Sequence, residues 1–282
     1  MSNTIYVHID TTSNAVLTRG LAPQDFNKSI VHQPKNLLLL DPSSDFGEFD
    51  GHTGLKVIRG MEDVQLFFQQ INKGRIAEEM KWIDFNDYEM VKELTPLEIS
   101  ELLYFGHMKT HLHSPFFYKL QNNFVFFDLK DARSRVYYRY LDEYYRILAD
   151  RITRIVLEKI NDRLSFFKKA TPVEKLDFNL LKELRGIMQE GIVFCLTQEQ
   201  LIDKTYTIPI YLSEDAGLKS TLVNQKELDQ IAVLRYSASK KNWSLEIDQE
   251  DLAFGFWLFR QKNVLMLLFF KEHQDIFSWF HF

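Results

Sequence analysis

A chain of 282 residues, 45% hydrophobic and 26% charged, can bury about three quarters of the surface its unfolded form exposes, so it needs neither disulfides nor a metal to hold a core. Its 34 basic and 39 acidic residues leave a formal charge of -5, a field that attracts neither a phosphate backbone nor an anionic membrane, which makes nucleic acid an unlikely partner. The 24 Phe and 12 Tyr point to a bulky core or an adhesive interface and exclude disorder.

Met1 to Tyr6 has no basic region and no continuous apolar run, so no secretion signal is expected. The first sixty residues alternate as strands between polar loops: Thr4 to Ile9, Ala15 to Thr18, Leu37 to Leu40 and Leu55 to Ile58. Between the last two lies an acidic loop, Asp41 to His52, whose spacing does not match an EF-hand and which reads as solvated. A helix follows from Met61, with Val64, Phe67, Phe68 and Ile71 on one face, Glu62 and Asp63 in the first turn, and Gly74 placed to end it.

Thr95-Pro96-Leu97-Glu98 is the best-specified helix start in the chain. It supplies a capping hydroxyl, a proline at the first helical position and a glutamate that reaches back to the cap, with Leu94 and Ile99 as the apolar staple. The helix is expected to run to about His111, or to stop a turn earlier at Gly106. Phe116 to Leu129 then reads as two aromatic runs about an Asn122-Asn123 turn.

From Asp131 to Lys168 the chain has neither Gly nor Pro, and apolar residues recur at helical spacing: Tyr137, Leu141, Tyr144, Leu148, Ile152 and Ile155. As one helix this stretch would be about 57 Å long. Thr171-Pro172-Val173-Glu174 repeats the capping pattern ahead of Leu180, Leu184, Ile187 and Met188, and Gly191 can end that helix. Cys195, the single cysteine, sits in an apolar run that reads as a buried strand; it cannot form an internal disulfide, in keeping with a reducing cytoplasm.

After Tyr206 the period becomes two. Tyr206 to Leu212 carries Pro209, which places that strand at an edge or a bulge. Ile231 to Tyr236 and Trp243 to Ile247 form a hairpin, as do Leu252 to Phe259 and Val264 to Phe270. Val264 to Phe270 is also the longest apolar run, far short of the roughly 20 residues of a spanning helix.

The fold class predicted is α+β: a central helical block with one very long helix, an N-terminal β segment and a C-terminal antiparallel β meander. No Gly/Ser/Pro-rich linker marks a boundary. One compact unit over 1–282 is expected; a division would separate a β/helical part, 1–170, from a helix plus antiparallel sheet, 171–282.

No phosphate loop, dinucleotide fingerprint, nucleophile elbow or paired CxxC is present. The leading expectation is a soluble cytoplasmic interaction or regulatory module, non-enzymatic and without a cofactor. It would act through the long aromatic helix and the apolar C-terminal hairpin, with a protein partner or by self-association. Tyr137, Leu141, Tyr144, Leu148, Ile152 and Ile155 would form the interface of a homodimer. The alternative is a metal-dependent hydrolase. His107 and His111, four apart, share a face if the helix continues past Gly106, and His113 could complete a divalent-metal shell; Met108 stands where a zincin needs its Glu base. The third reading is weak nucleic-acid binding through Arg133, Arg135, Arg139, Arg146, Arg151 and Arg154, opposed by Asp142/Arg146 and Asp150/Arg154 at salt-bridge spacing.

Overall fold

The computed structural model describes residues 4–41, 43–72, 80–129, 133–161, 171–196, 201–202, 204–213 and 229–248. β1 (Thr4–Asp10) and β2 (Ala15–Arg19) form an antiparallel hairpin, with Asn14 at φ 54° supplying the left-handed turn residue. α1 (Pro23–Ser29) starts on a proline, and the Asp25 carboxylate accepts the Ala22 N–H at 2.8 Å. β3 (Asn36–Leu39), β4 (Glu48–Phe49), β5 (Lys56–Arg59), α2 (Met61–Asn72) and β6 (Lys81–Phe85) follow. Next come α3 (Tyr88–Lys92), α4 (Pro96–Met108), β7 (Phe124–Leu129) and β8 (Arg133–Tyr138). α5 (Asp142–Asn161), α6 (Phe178–Lys182) and α7 (Arg185–Met188) lead to β9 (Ile192–Cys195), β10 (Leu201–Ile202), β11 (Thr205–Leu212), β12 (Gln230–Ser237) and β13 (Asn242–Ile247).

The strands belong to one 13-stranded antiparallel sheet in the order β13-β12-β11-β9-β1-β2-β8-β7-β6-β3-β5-β4, with β10 paired to β11. This overturns the predicted arrangement. The N-terminal and C-terminal strands are not separated by a helical block; β1 pairs with β9 from Thr4↔Cys195 to Val7↔Ile192 and joins them into one sheet.

The very long helix is also corrected. Its first six described residues, Arg133–Tyr138, are β8, and the helix begins only at Asp142; its described residues, Asp142–Asn161, number 20, or about 30 Å. Arg133, Arg135 and Tyr137 alternate with Ser134, Val136 and Tyr138, a period of two that the absence of Gly and Pro conceals. Both edges of β8 are taken, Tyr137 lying opposite Ala15 of β2 and Val125 of β7. Val-Tyr-Tyr suits a half-buried pleat, and cross-strand pairing on both sides outweighs the weak helical spacing.

Side chains on the two faces of the sheet enter two separate cores. Leu37 and Leu39 join Trp82, Phe124, Phe126, Val136 and Tyr138 on one face, beneath α1, α2, α5, α6 and α7. Leu38 and Leu40 join Ile83, Phe85, Val125, Phe127 and Tyr137 on the other, beneath α3 and α4. Such strands are apolar at every position because helices cover both sides. Trp82 stacks on Phe126 at 5.1 Å, and Phe26 of α1 meets Phe124 edge-on at 4.9 Å, geometries that add to simple area burial.

Two further expectations change. Residues 171–177 are not helical; Asp177 is the cap that starts α6, its carboxylate accepting the Asn179 N–H at 2.9 Å. Phe116 to Leu129 is not a hairpin, since only β7 is a strand there and the buried Asn122 instead braces the approach to it. β11 is an interior strand, yet Pro209 falls between the stretch paired to β10 and the stretch paired to β9, one residue before a register shift against β12. The β12–β13 hairpin forms with Tyr236 opposite Trp243. The apolar hairpin expected at 252–270 lies outside the described residues, and among those described no helix is long and apolar enough to cross a membrane.

Candidate interaction surface

α4 is fixed at its start by the residues the sequence singles out. The Glu98 carboxylate accepts the Thr95 N–H at 2.7 Å and the Thr95 hydroxyl accepts the Glu98 N–H. Burial pushes the Glu98 carboxyl up, but the Lys119 ammonium at 2.9 Å, together with the Thr95 amide and hydroxyl, prevails and holds it down at about 2. The helix ends at Met108, where Lys109 takes the left-handed conformation at φ 56° and its N–H reaches Phe105 O.

The inner side of α4 sets Leu102 and Phe105 into the second core, with Ile99 packed beside them. Gly106 lies so close to the sheet that a Cβ built there would stand 2.7 Å from the Leu40 carbonyl oxygen. The helix backbone is therefore seated directly on the end of β3, and its opposite side is held facing away from the sheet.

That outward side is apolar as well. Leu97 is 77% exposed, Met108 53%, Leu103 39% and Tyr104 38%, with exposed Ser100 and His107 among them. At 100° per residue Leu97, Tyr104 and Met108 fall within a 40° arc, opposite Leu102 and Gly106. A helix apolar on both sides is ordinarily buried on both sides. Here, among the described residues, none covers that outward side.

The segment after α4 runs back along the helix and borders this face. The His113 backbone N–H and ring Nδ1 approach Glu101 Oε1 at 3.2 and 3.1 Å. Lys119 Nζ donates to the Glu93 carbonyl at 2.8 Å as well as to Glu98. Buried Asn122 accepts the Phe117 N–H at 2.7 Å and donates to the Pro115 and Phe124 carbonyls. Leu112, on this return, is 56% exposed.

The histidines are thereby dispersed. His107 is on the exposed side of α4, whereas the His111 ring packs edge-on against Phe105 and Tyr137 at 6.2 and 5.7 Å, and His113 faces Glu101. The helix ends between His107 and His111, so they do not share a helical face. Among the described residues, no three His, Cys, Asp or Glu side chains gather to hold a metal.

The six residues expected at a dimer interface belong to the chain's own cores. Tyr144, Leu148 and Ile152 are fully buried and Ile155 is 5% exposed, with Leu141 packed beside them beneath one face of the sheet. Tyr137 projects from β8 into the core on the other face. The arginine row is dispersed too. Arg151 and Arg154 converge on the buried carboxylate of Asp25 at 3.5 and 2.7 Å, Arg146 lies over Phe178, and Arg139 donates to the Asn122 carbonyl. Asp142 and Asp150 pair with Lys182 and Lys175 rather than with the helix's own arginines. In the acidic loop, Asp50 accepts from Thr53 and from the Tyr88 hydroxyl, and Asp41 from Ser43.

Sequence reasoning misses one pair altogether. Buried Glu143, in the first turn of α5, accepts the Val31 N–H at 2.7 Å and lies 2.5 Å from His32 Nδ1, while the His32 ring stacks on Tyr140. The acidic first turn is visible in Asp142-Glu143, but its partner more than a hundred residues earlier is not. Between α1 and α2 a cavity of about 490 Å³ is lined by Gln24, Asn27, Lys28, Gln33, Gln65, Phe68 and Gln69. Among the described residues its wall is amide-rich and Lys28 is the one ionisable group, a poor setting for acid–base chemistry. No family model matches this chain, and no curated protein or solved structure matches it either.

Proposed function

We propose that this chain is a non-enzymatic protein-interaction module that docks a partner through the outer face of α4. One observation carries the reading. Large apolar side chains occupy the outward side of a helix whose other side already fills a core, and the capping box, Gly106 and the returning segment hold that outward side in place. An ordered apolar patch facing water and rimmed by polar groups is a mark of protein contact. The partner surface thus moves from the long helix, where the spacing first suggests it, to α4.

A photo-reactive benzoylphenylalanine at position 104 tests this in cells, against the same group at Lys240 in the exposed β12–β13 turn. The expected result is a discrete protein adduct from position 104 alone, weakened by Leu97→Glu. Equal adducts from both positions, or none from 104, would overturn the reading. Leu97→Glu itself should leave the fold within about 0.5 kcal/mol of wild type, because the side chain it replaces is exposed.

A further inference from the structure

We infer that the recess between α1 and α2 binds a sugar acid, a polyhydroxylated ring carrying one carboxylate, with Lys28 meeting the carboxylate and the surrounding carboxamides meeting the hydroxyls. This recess lies on the face of the sheet opposite α4, so the inference stands or falls apart from the docking reading above.

Two helix stripes build the wall. Gln24, Asn27 and Lys28 of α1 and Gln65, Phe68 and Gln69 of α2 each follow the spacing i, i+3, i+4, which sets three side chains on one side of a helix. They line a common volume of about 490 Å³, within the range of small-molecule sites. Phe68 is 1% exposed and meets Phe26 of α1 at 6.5 Å, so it closes the bottom of the recess with an apolar surface. Among the described residues, the side chains of Gln24, Asn27, Gln65, Gln69 and Lys28 make no hydrogen bond or ion pair within the chain. Their donors and acceptors are open to a ligand.

Gln33 frees Lys28 for that ligand. Its Nε2 donates to the Asn27 and Ile30 carbonyls, both at 2.9 Å, and the Phe26 carbonyl accepts the Ile30 N–H at 3.3 Å. The last carbonyls of α1, the ordinary partners of a lysine in the final turn, are thus taken. With both amide hydrogens committed, the Gln33 oxygen remains as an acceptor on this wall. Among the described residues no carboxylate lines the recess, and Asp25, buried on the same helix, is committed to Arg151 and Arg154. One uncompensated ammonium selects one negative charge, and the lack of an arginine fork favours carboxylate over phosphate. Carboxamides both donate and accept, as ring hydroxyls do. A peptide would need apolar pockets for its side chains, and Phe68 is the one apolar residue among those described on this wall.

Saturation-transfer magnetic resonance and calorimetry on the intact chain test this with glucuronate and galacturonate, each beside its neutral hexose, glucose or galactose. One uronate is expected to bind tighter than its hexose by about tenfold, the difference that one charge-assisted hydrogen bond makes. Lys28→Met should erase that preference, and Gln65→Ala/Gln69→Ala should weaken acid and neutral sugar alike. All three replaced side chains are exposed, so the variants should keep the fold. Equal affinity for acid and neutral sugar, or a preference untouched by Lys28→Met, overturns the role of Lys28 and the inference with it. Tighter binding of glucose-6-phosphate than of either uronate overturns the carboxylate. Binding of acetyl-tetra-alanine amide in place of the sugars overturns the ligand class, and no transfer to any of these probes overturns the site.

Discussion

Asp84 shows how a single buried carboxyl couples the fold to pH. It is 3% exposed, and its Oδ1 accepts the Asn123 and Phe124 N–H groups at 2.9 and 2.6 Å, which tie the start of β7 to the end of β6. Burial pushes its carboxyl up to about 7, against the opposing pull of those N–H groups. A carboxyl whose folded value is raised lets the native state hold its proton between about 4 and 7, where the unfolded chain has lost it. Its contribution to stability is therefore complete below about 4 and is lost as pH rises through 7. Asp84→Asn keeps a carbonyl oxygen for both N–H groups and removes the ionisation. Urea midpoints should show Asp84→Asn gaining on wild type steadily from pH 4 to 7; a difference that does not vary with pH would sink the assignment. Asp84→Ala removes the ionisation too but also strands the Asn123 and Phe124 N–H groups, so it should lie below Asp84→Asn by about 1–3 kcal/mol per unmet group across the whole pH range.

At the scale of elements, α4 sets two rules for Gly106 against each other. Alanine in place of glycine inside a helix normally stabilises by about 1 kcal/mol, but a Cβ at position 106 would stand 2.7 Å from Leu40 O and 2.9 Å from its Cβ. One of the contacted atoms is backbone and cannot swing aside, so overpacking at about 1–3 kcal/mol should prevail. Gly106→Ala is expected to lower the thermal midpoint, and a raised midpoint would mean that α4 does not rest on β3. The start of this helix is legible because Thr95, Pro96 and Glu98 act within one turn. Its outward face is legible only as spacing, since no local signal says whether Leu97, Tyr104 and Met108 are covered. The Thr171 start misleads for the same reason. Residues 171–177 have the local pattern, but distant side chains take their backbone groups: Tyr236 Oη accepts the Glu174 N–H, Thr153 Oγ1 accepts that of Leu176, and Trp243 Nε1 donates to Glu174 O. The β8 strand goes unrecognised because its partners, β2 and β7, decide it and its own spacing does not.

For the whole molecule, the consequence of one sheet is that stability is shared across 170/171, the point where a division would fall if the chain formed two units. β1 lies between β2 and β9, so a cut at 170/171 strips β1 of the hydrogen-bonded neighbour that Thr4 to Val7 require. The same cut parts α5 from α6 and removes Leu176, Leu181, Leu184, Met188, Ile192 and Phe194 from the core they share with Tyr145, Leu148 and Ile152. Each fragment would expose a strand edge and a broad apolar face, the conditions for aggregation rather than independent folding. Residues 1–170 and 171–282 expressed separately should therefore lack cooperative thermal transitions, and co-expressed they should copurify and regain one. The intact chain should unfold in urea with a single midpoint by both far-ultraviolet circular dichroism and tryptophan fluorescence. Trp82 reports the sheet near β6, and Trp243 reports β13 at the far edge of the described strands. Two separated midpoints, or a fragment that melts cooperatively on its own, would show that the β1–β9 seam joins two units each stable alone, and the sheet would then be continuous in geometry but not in energy.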